Sequence, residues 1–510
     1  MKKHAYTAIF LALSVPALAQ VPEDALRMSW NPSFGTARQQ AIGGAMGSLG
    51  GDISSIYVNP AGLGLYKTSE FVMTPGYGFY KTKGDFRGTN VNSDKLNKFQ
   101  LGTTGFVIGM QNPYSKTTSS AFSIAVSRTA NFNNNTYYRG LNDHSSYSEA
   151  FAEEFAGSGV AIDDVYKSSL SLGTKMAVYT YLIDTATIGG QKQVIGRPEY
   201  LDAVFQEQRT VTTGGVTEIA MGYAANLNNQ LFIGGSVGIP ILNYERKSTF
   251  TESDPTNNPD NNFNFSRYEQ NTSVKGVGIN VKLGLIYAPA PSFRVGAAIH
   301  TPTFYGLRDN LDAKMVTDLE KLFAPKPGID SVNSDYYYNG ASGQIKYNFT
   351  SPWRFMISGS YLFGSQQDVK KQKGFITADI EYVTYGSPKF KPAEEESDDY
   401  YKAVNEVTKN IYKGTFNFKV GGELKFNVVM ARLGFAYYMN PYRDTELKAN
   451  KMSLSGGLGY RHKGFFVDVT YVHQINKNVD FPYRLQDKAN TFATLRERAS
   501  NVWLTFGIKI

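Results

Sequence analysis

From Ser69 to the C-terminus, apolar and polar side chains alternate along one long stretch after another. Val502, Leu504, Phe506, Ile508 and Ile510 share one face of the last stretch, and Trp503, Thr505, Gly507 and Lys509 share the other. Phe416, Phe418, Val420, Leu424 and Phe426 stand against Asn417, Lys419, Glu423 and Lys425 in the same way. Ile376, Ala378, Ile380 and Tyr382 stand against Thr377, Asp379 and Glu381. A period of two is that of a β-strand. A soluble sandwich alternates too, because one face of each sheet is wet. Here the apolar face persists over about ten residues, the length a tilted strand needs to cross hydrocarbon. Aromatics also gather at strand ends, at Tyr77, Phe79 and Tyr80, at Tyr437 and Tyr438, and at Tyr471, where an interfacial girdle belongs.

The first nineteen residues differ from everything after them. Lys2, Lys3 and His4 precede a mostly apolar run, and Ala17-Leu18-Ala19 is an A-x-A cleavage site. Residues 1–19 therefore read as a secretory signal peptide. No later run of apolar residues is long enough for a transmembrane helix. The chain has no cysteine, which removes disulfides, thiolate metal sites and a cysteine nucleophile. Its formal charge of +8 includes Lys2 and Lys3, and no basic stripe with interleaved aromatics suggests a nucleic acid partner. An exported chain with 34 Tyr, 33 Phe and 49 Gly is predicted to be an all-β, transmembrane antiparallel β-barrel.

Fourteen strands are expected, at 69–81, 96–110, 119–131, 208–226, 230–250, 264–288, 292–308, 353–365, 374–386, 413–426, 429–441, 449–461, 465–476 and 499–510. Residues 343–350 also alternate, but an even strand number is required when both barrel ends face the periplasm. They are treated as an extension above the membrane, within the outer loop 309–352. Short periplasmic turns then alternate with long outer loops. The longest insertion, 140–205, contains two helical stretches, Ser146 to Phe155 and Asp163 to Leu182. It forms a self-packed outer loop or a lid over the barrel mouth.

Catalytic and metal readings find little support. The five histidines are scattered without ligand spacing, and no G-x-S-x-G elbow occurs. Arg294 and His300 fall on the lumen face, as polar lining. The acidic run Glu394-Glu395-Glu396-Ser397-Asp398-Asp399 reads as a solvated outer loop, the alternative being a divalent cation held between lipopolysaccharide headgroups. Asp254 to Asn262 is Pro/Asn turn chemistry. No enzyme activity, metal or cofactor is expected.

Between the signal and the first strand lies a glycine-dense, weakly polar segment, Gly35 to Leu63. Its Gly43-Gly44 to Gly50-Gly51 run follows no strand, so it is not a nucleotide loop. The motif Gly35-Thr36-Ala37-Arg38, then Ala41-Ile42-Gly43-Gly44-Ala45 and Asp52 to Leu63 with Asn59-Pro60-Ala61-Gly62, resembles the hatch signature of the FadL/TodX family. Those proteins are outer-membrane transporters of long-chain fatty acids and aromatic hydrocarbons. Ala297 to Tyr305 resembles the family's mid-barrel strand with its Thr-Pro-Thr, and Ser351 to Phe363 followed by Ile376 to Tyr382 resembles a later stretch. The likeness covers nearly the whole mature chain and has the character of Bacteroidetes members.

The resemblance implies a fourteen-stranded barrel (67–510) plugged by an N-terminal hatch (20–66). Asn59, Pro60, Ala61 and Gly62 would gate the ligand, and Arg38, Gly43 and Gly44 would pack the hatch. Family members release ligand sideways through a kinked third strand, whereas 119–131 here has no Gly or Pro. The expected function is passive passage of fatty acids or alkyl aromatics across the outer membrane of a Gram-negative bacterium, by a monomer. Outer-membrane lipid, lipopolysaccharide and the barrel assembly machinery are the expected partners. The alternatives are a surface adhesin or assembly protein and a general porin.

Overall fold

A computed structural model describes residues 22–30, 32, 34–326, 328–340, 342–364, 372–394 and 398–510. The proposed signal peptide and part of the acidic run, 395–397, lie outside them. The alternating stretches form a closed antiparallel barrel of fourteen strands. Strand β1 comprises Glu70–Met73 and Pro75–Phe86, β2 Leu96–Leu101 and Thr104–Gln111, and β3 Thr117–Asn131 and Asn134–Asn142. The long central strands are β4 (Val204–Leu227), β5 (Leu231–Ser253) and β6 (Phe265–Ala290). Next come β7 (Phe293–His300 and Phe304–Asp318), β8 (Gly343–Thr350 and Arg354–Gly364) and β9 (Gln372–Val383 and Lys389–Pro392). The last five are β10 (Thr415–Phe426), β11 (Val429–Tyr438), β12 (Asn450–His462), β13 (Phe465–Asp480) and β14 (Ala493–Lys509). Pairing of β14 with β1, from Glu70↔Lys509 to Asp85↔Thr494, closes the sheet and removes its edges.

The inside-out burial pattern is that of a membrane barrel. Leu283, Ile357, Ile376, Leu433, Leu454 and Leu458 are exposed on the outer surface, while Asp379, Lys419, Arg432 and Asp468 are buried inside. No described helix is long and apolar enough to cross a membrane. Tyr77, Phe79 and Tyr471 are exposed as girdle residues should be, but Tyr80 and Tyr438 turn into the lumen. The reason is pleat: each lies on the strand face opposite to its outward-pointing neighbours.

Residues 343–350 and 354–364 form one strand, broken at Ser351-Pro352-Trp353 beside the break at Thr301-Pro302-Thr303. The breaks bridge each other: the Ser351 N–H donates to Thr303 O at 3.0 Å, and the Thr303 N–H to Ser351 Oγ at 2.8 Å. Proline supplies no ladder donor, so both chains must leave the sheet at this height. Above it β9 is joined to β8 but no longer to β10, and α6 (Asp399–Ile411) lies over that edge with Tyr401, Val404 and Thr408 buried. The long insertion folds as α4 (Tyr147–Ser158), a 3-10 turn (Ile162–Lys167), α5 (Leu172–Tyr179) and a hairpin (Ile183–Ile188 with Gln191–Gly196). A capping box between Ser146 and Glu149 starts α4, and Phe151, Phe155, Leu172 and Met176 share an apolar core with Tyr268 and Met315 of the wall.

Candidate functional site

The segment before β1 occupies the lumen. Helix α1 (Pro22–Ser29) lies above, and α2 (Ala37–Ala41), α3 (Ser55–Val58) and a 3-10 turn (Pro60–Leu65) follow. Thr36 caps α2, its side chain accepting from the Gln39 N–H at 3.2 Å. Asp52 takes Thr36 Oγ1 and the Ser54 N–H, both at 2.9 Å, which folds the glycine-rich stretch back on itself. Asn59 ends α3 and caps the next turn, Oδ1 accepting from the Ala61 N–H at 3.1 Å. Pro60 fits the first position of that turn because it has no N–H to satisfy. Gly43 sits at φ +67° and so close to β11 that a side chain would come within 2.7–2.8 Å of the Phe435 backbone. Gly44, also left-handed, returns its N–H to Gln39 O at 3.0 Å.

Every one of the fourteen strands touches this segment. Tyr66 donates to Glu70 of β1, Ser54 to Thr103 beside β2, and Ser119 of β3 to Gly64 O. Tyr57 donates to Glu218 O of β4, and Ser236 of β5 to Ile56 O. Asn59 Nδ2 reaches Leu285 O of β6 at 3.2 Å and Ala297 O of β7 at 3.3 Å, besides Gly47 O at 2.6 Å. Arg294 donates to Leu49 O at 2.8 Å, and His300 Nε2 lies 2.8 Å from Val58 O. Ser48 pairs with Ser358 of β8, and Asp379 of β9 accepts from the N–H groups of Met46 and Gly47. Arg38 donates to Gly51 O at 3.0 Å and lies 3.7 Å from Glu423 of β10 and 4.0 Å from Asp52. Ser455 of β12, Thr470 of β13 and Thr505 of β14 bind the backbone of Ala41 and Ala37.

The sequence-derived residues Arg38, Gly43, Gly44, Asn59 to Gly62, Arg294 and His300 are thus brought together in one lumen. Sequence reasoning did not find the wall residues that hold the hatch, Asp379 and Ser358 above all. It also missed three buried ionic groups: Lys282 with Glu218, Glu381 with Arg354 (3.2 Å) and Lys419 (3.1 Å), and Arg432 between Glu423 and Asp468. The available signal was a charged residue in mid-strand on the lumen face, which Asp379, Glu381, Lys419 and Glu423 all show.

One seam interrupts the wall. β2 and β3 pair only from Thr104↔Val126 to Gln111↔Ser119. Above that, Leu96–Leu101 pairs with β1 alone, and 127–142 with β4 alone. The register slips at Val216/Thr217, a bulge beside Thr129, and Asn134–Asn142 then tucks in so that Tyr138 packs on Phe86 of β1. The third strand therefore leaves its neighbour by a bulge, without the Gly or Pro that a kink would use. Thr103 Oγ1 donates across the seam to Ser127 Oγ at 3.0 Å, and Phe99 is exposed outside it. Unpaired strand edges persist at membrane depth only where they line a cavity.

Two chambers flank the N-terminal segment, and Phe34 lines both. The lower, about 140 Å³, contains Lys282, His300, Arg354, Glu381 and Lys419. The upper, about 230 Å³, lies beside Trp30 and the seam residues Tyr80 and Asn131. Among the described residues no three His, Asp or Glu side chains converge as metal ligands do.

No protein-family model matches this chain, and no curated protein matches it in sequence. In structure it is similar to a FadL homologue of Pseudomonas aeruginosa, 13% identical with TM-score 0.52, over 93% of this chain and 99% of that one. It is also similar to the toluene transporter TodX of Pseudomonas putida, 12% identical with TM-score 0.53, over 95% and 99% of the two chains. The fold is that of the FadL/TodX-type barrels of the Gram-negative outer membrane.

Proposed function

We propose that this protein is an outer-membrane channel that takes up hydrophobic compounds, fatty acids or alkyl aromatics, and passes them passively around its hatch. The reading is supported by an occupied lumen beside an unpaired stretch of wall: the N-terminal segment touches all fourteen strands, and the seam where β2 and β3 lose their pairing lies beside its Ser54. An apolar solute leaving there enters lipid directly and needs no energy source. Asn59 and Pro60 act as the pivot, because their turn lies against β5, β6 and β7. The transport described for the structural neighbours supports the same reading.

The chain's lack of cysteine allows a clean test. In T103C/S127C, whose hydroxyls now lie 3.0 Å apart, a disulfide should lock the seam. Oxidised protein in liposomes should stop delivering a fluorescent long-chain fatty acid, and reduction should restore delivery. Unchanged uptake by the fully oxidised protein rules out the lateral route.

A further inference from the structure

The joint that closes the barrel concentrates positive charge on its outward face. On β1 the outward side chains run Phe71, Met73, Tyr77 and Phe79, then Lys81 and Lys83. On β14 they run Ile508, Phe506 and Val502, then Arg498 and Arg496. The residues that alternate with these cations, Tyr80, Thr82 and Ala499, are buried on the lumen side. Pairing sets like charges directly opposite each other: Lys81 faces Arg498, and Lys83 faces Arg496, which faces Lys477 of β13 on its other side. All five are exposed. Among the described residues none of them forms an ion pair. The outward carboxylate at the next position up, Asp85, stands opposite Thr494. Like charges placed directly opposite destabilise a sheet, so this arrangement calls for an anion from outside the chain.

The height of the cluster says what that anion is. Phe71 pairs with Ile508 at the periplasmic edge, and Lys81 with Arg498 at the other end of the apolar run. At about 3.4 Å per residue the run is about 34 Å long, and a tilt of about 40° makes that a rise of about 26 Å. The apolar band of an outer-membrane barrel is about 25 Å tall. The cations therefore stand where the outer leaflet changes from acyl chain to headgroup. Beneath them Tyr471, Val502 and Tyr77 form one cross-strand row, continued by Phe99 of β2. All four are exposed, an apolar surface directly under a charged one.

We propose that the outer face of the β13–β14–β1 joint binds one lipopolysaccharide molecule of the outer leaflet. Its phosphates lie on Arg496, Arg498, Lys81, Lys83 and Lys477, and its acyl chains lie on the row below. The two guanidinium groups favour phosphate, because their forked donors match its oxygens bidentately. A lipid with two phosphates offsets the repulsion in both β1–β14 pairs, whereas a phospholipid with one leaves part of the cluster uncompensated. The bound lipid clamps the closing joint from the membrane side, whatever passes through the lumen.

The test uses the full mature protein, delipidated, in dodecyl maltoside with EDTA present to remove bridging divalent cations. It is offered bis-phosphorylated lipid A, the same lipid with both phosphates removed, or phosphatidylglycerol, and native mass spectrometry counts the molecules bound. One bis-phosphorylated lipid A should bind, at least tenfold more tightly than either of the others. R496Q/R498Q should weaken it at least tenfold. K167Q/K192Q, the same change of charge at exposed sites in the outer insertion, should leave it unchanged. Retained heat-modifiable mobility shows that each variant is folded, and K81Q/K83Q, across the joint, gives the same reading if the arginine variant fails to assemble. Equal binding of the three lipids, tighter phosphatidylglycerol, no bound lipid, or a preference that survives loss of the joint cations overturns the proposal. So does an equal loss in K167Q/K192Q, which would reduce the effect to general charge attraction. Each of these outcomes leaves the channel reading untouched.

Discussion

Gly284 of β6 and Asn59 of the hatch are fitted to each other: a Cβ on Gly284 would overlap the Asn59 side-chain oxygen. The strand gives up a side chain at this point so that the Asn59 amide can lie flat on the wall and reach the carbonyls of Leu285 and Ala297.

Asn59→Ala removes those bonds and the one to Gly47 O. Neutral hydrogen bonds contribute about 1 kcal/mol each, so hatch docking should weaken by about 1–2 kcal/mol. The undocked fraction then rises roughly five- to thirty-fold. Ion conductance in planar bilayers should increase accordingly, with barrel assembly intact by gel mobility. Loss of assembly would assign Asn59 a purely structural part.

Asp379→Asn acts on the other side of the hatch. The carboxylate accepts from Met46 N and Gly47 N at 3.0 Å and from Ser358 Oγ at 2.6 Å. Bonds to a charged acceptor contribute about 1.5–3 kcal/mol, and an amide keeps only part of that. Exchange of the Met46 and Gly47 amide protons should accelerate about tenfold or more, while exchange in β12 to β14 stays slow.

Arg432 is enclosed between Glu423 Oε2 at 2.6 Å and Asp468 Oδ1 at 2.5 Å. Arg432→Met strands two buried carboxylates, a change that costs about 3–5 kcal/mol. The urea midpoint of the barrel in detergent should fall clearly. The triple variant Glu423→Gln, Arg432→Met, Asp468→Asn should recover much of the loss.

The outer insertion should be pH-sensitive through Glu252, near the far end of β5 and well above the membrane. Burial pushes its carboxyl up to about 7, although Gln206, Ser146 and the Tyr147 N–H donate to it, and Glu149 adds a like charge. A raised acid favours the folded state while protonated. Stability is therefore full below the usual glutamate value of 4.5 and lost as pH rises through about 7. Proteolysis of residues 140–205 should be faster at pH 8 than at pH 5, and Glu252→Gln should flatten the difference.

Strands and lumen faces were legible because alternation is a local property. Parity kept 343–350 out of the strand count, and the structure shows it to be the upper part of β8. Three features escaped. No strand is expected between 131 and 208, whereas Asn134–Asn142 is a strand that leaves the sheet plane after Phe132-Asn133 and packs on β1. No helix is expected at 399–411, where the acidic run before it dominates the segment, although Tyr401, Val404 and Thr408 carry a helical stripe. The hatch anchors were invisible as pairs: Asp379 lies 332 residues from Gly47, and no local pattern encodes such a partner. The seam escaped for a related reason, since its cause is a one-residue bulge at Thr129.

The bonds from Ala37 to Thr505 and from Tyr66 to Glu70 join the hatch to the last strand and the first. These are the two strands whose pairing closes the barrel, so the N-terminal segment bridges the closing joint from inside, and a change that loosens Ala37 or Tyr66 acts on the joint as well as on the lumen.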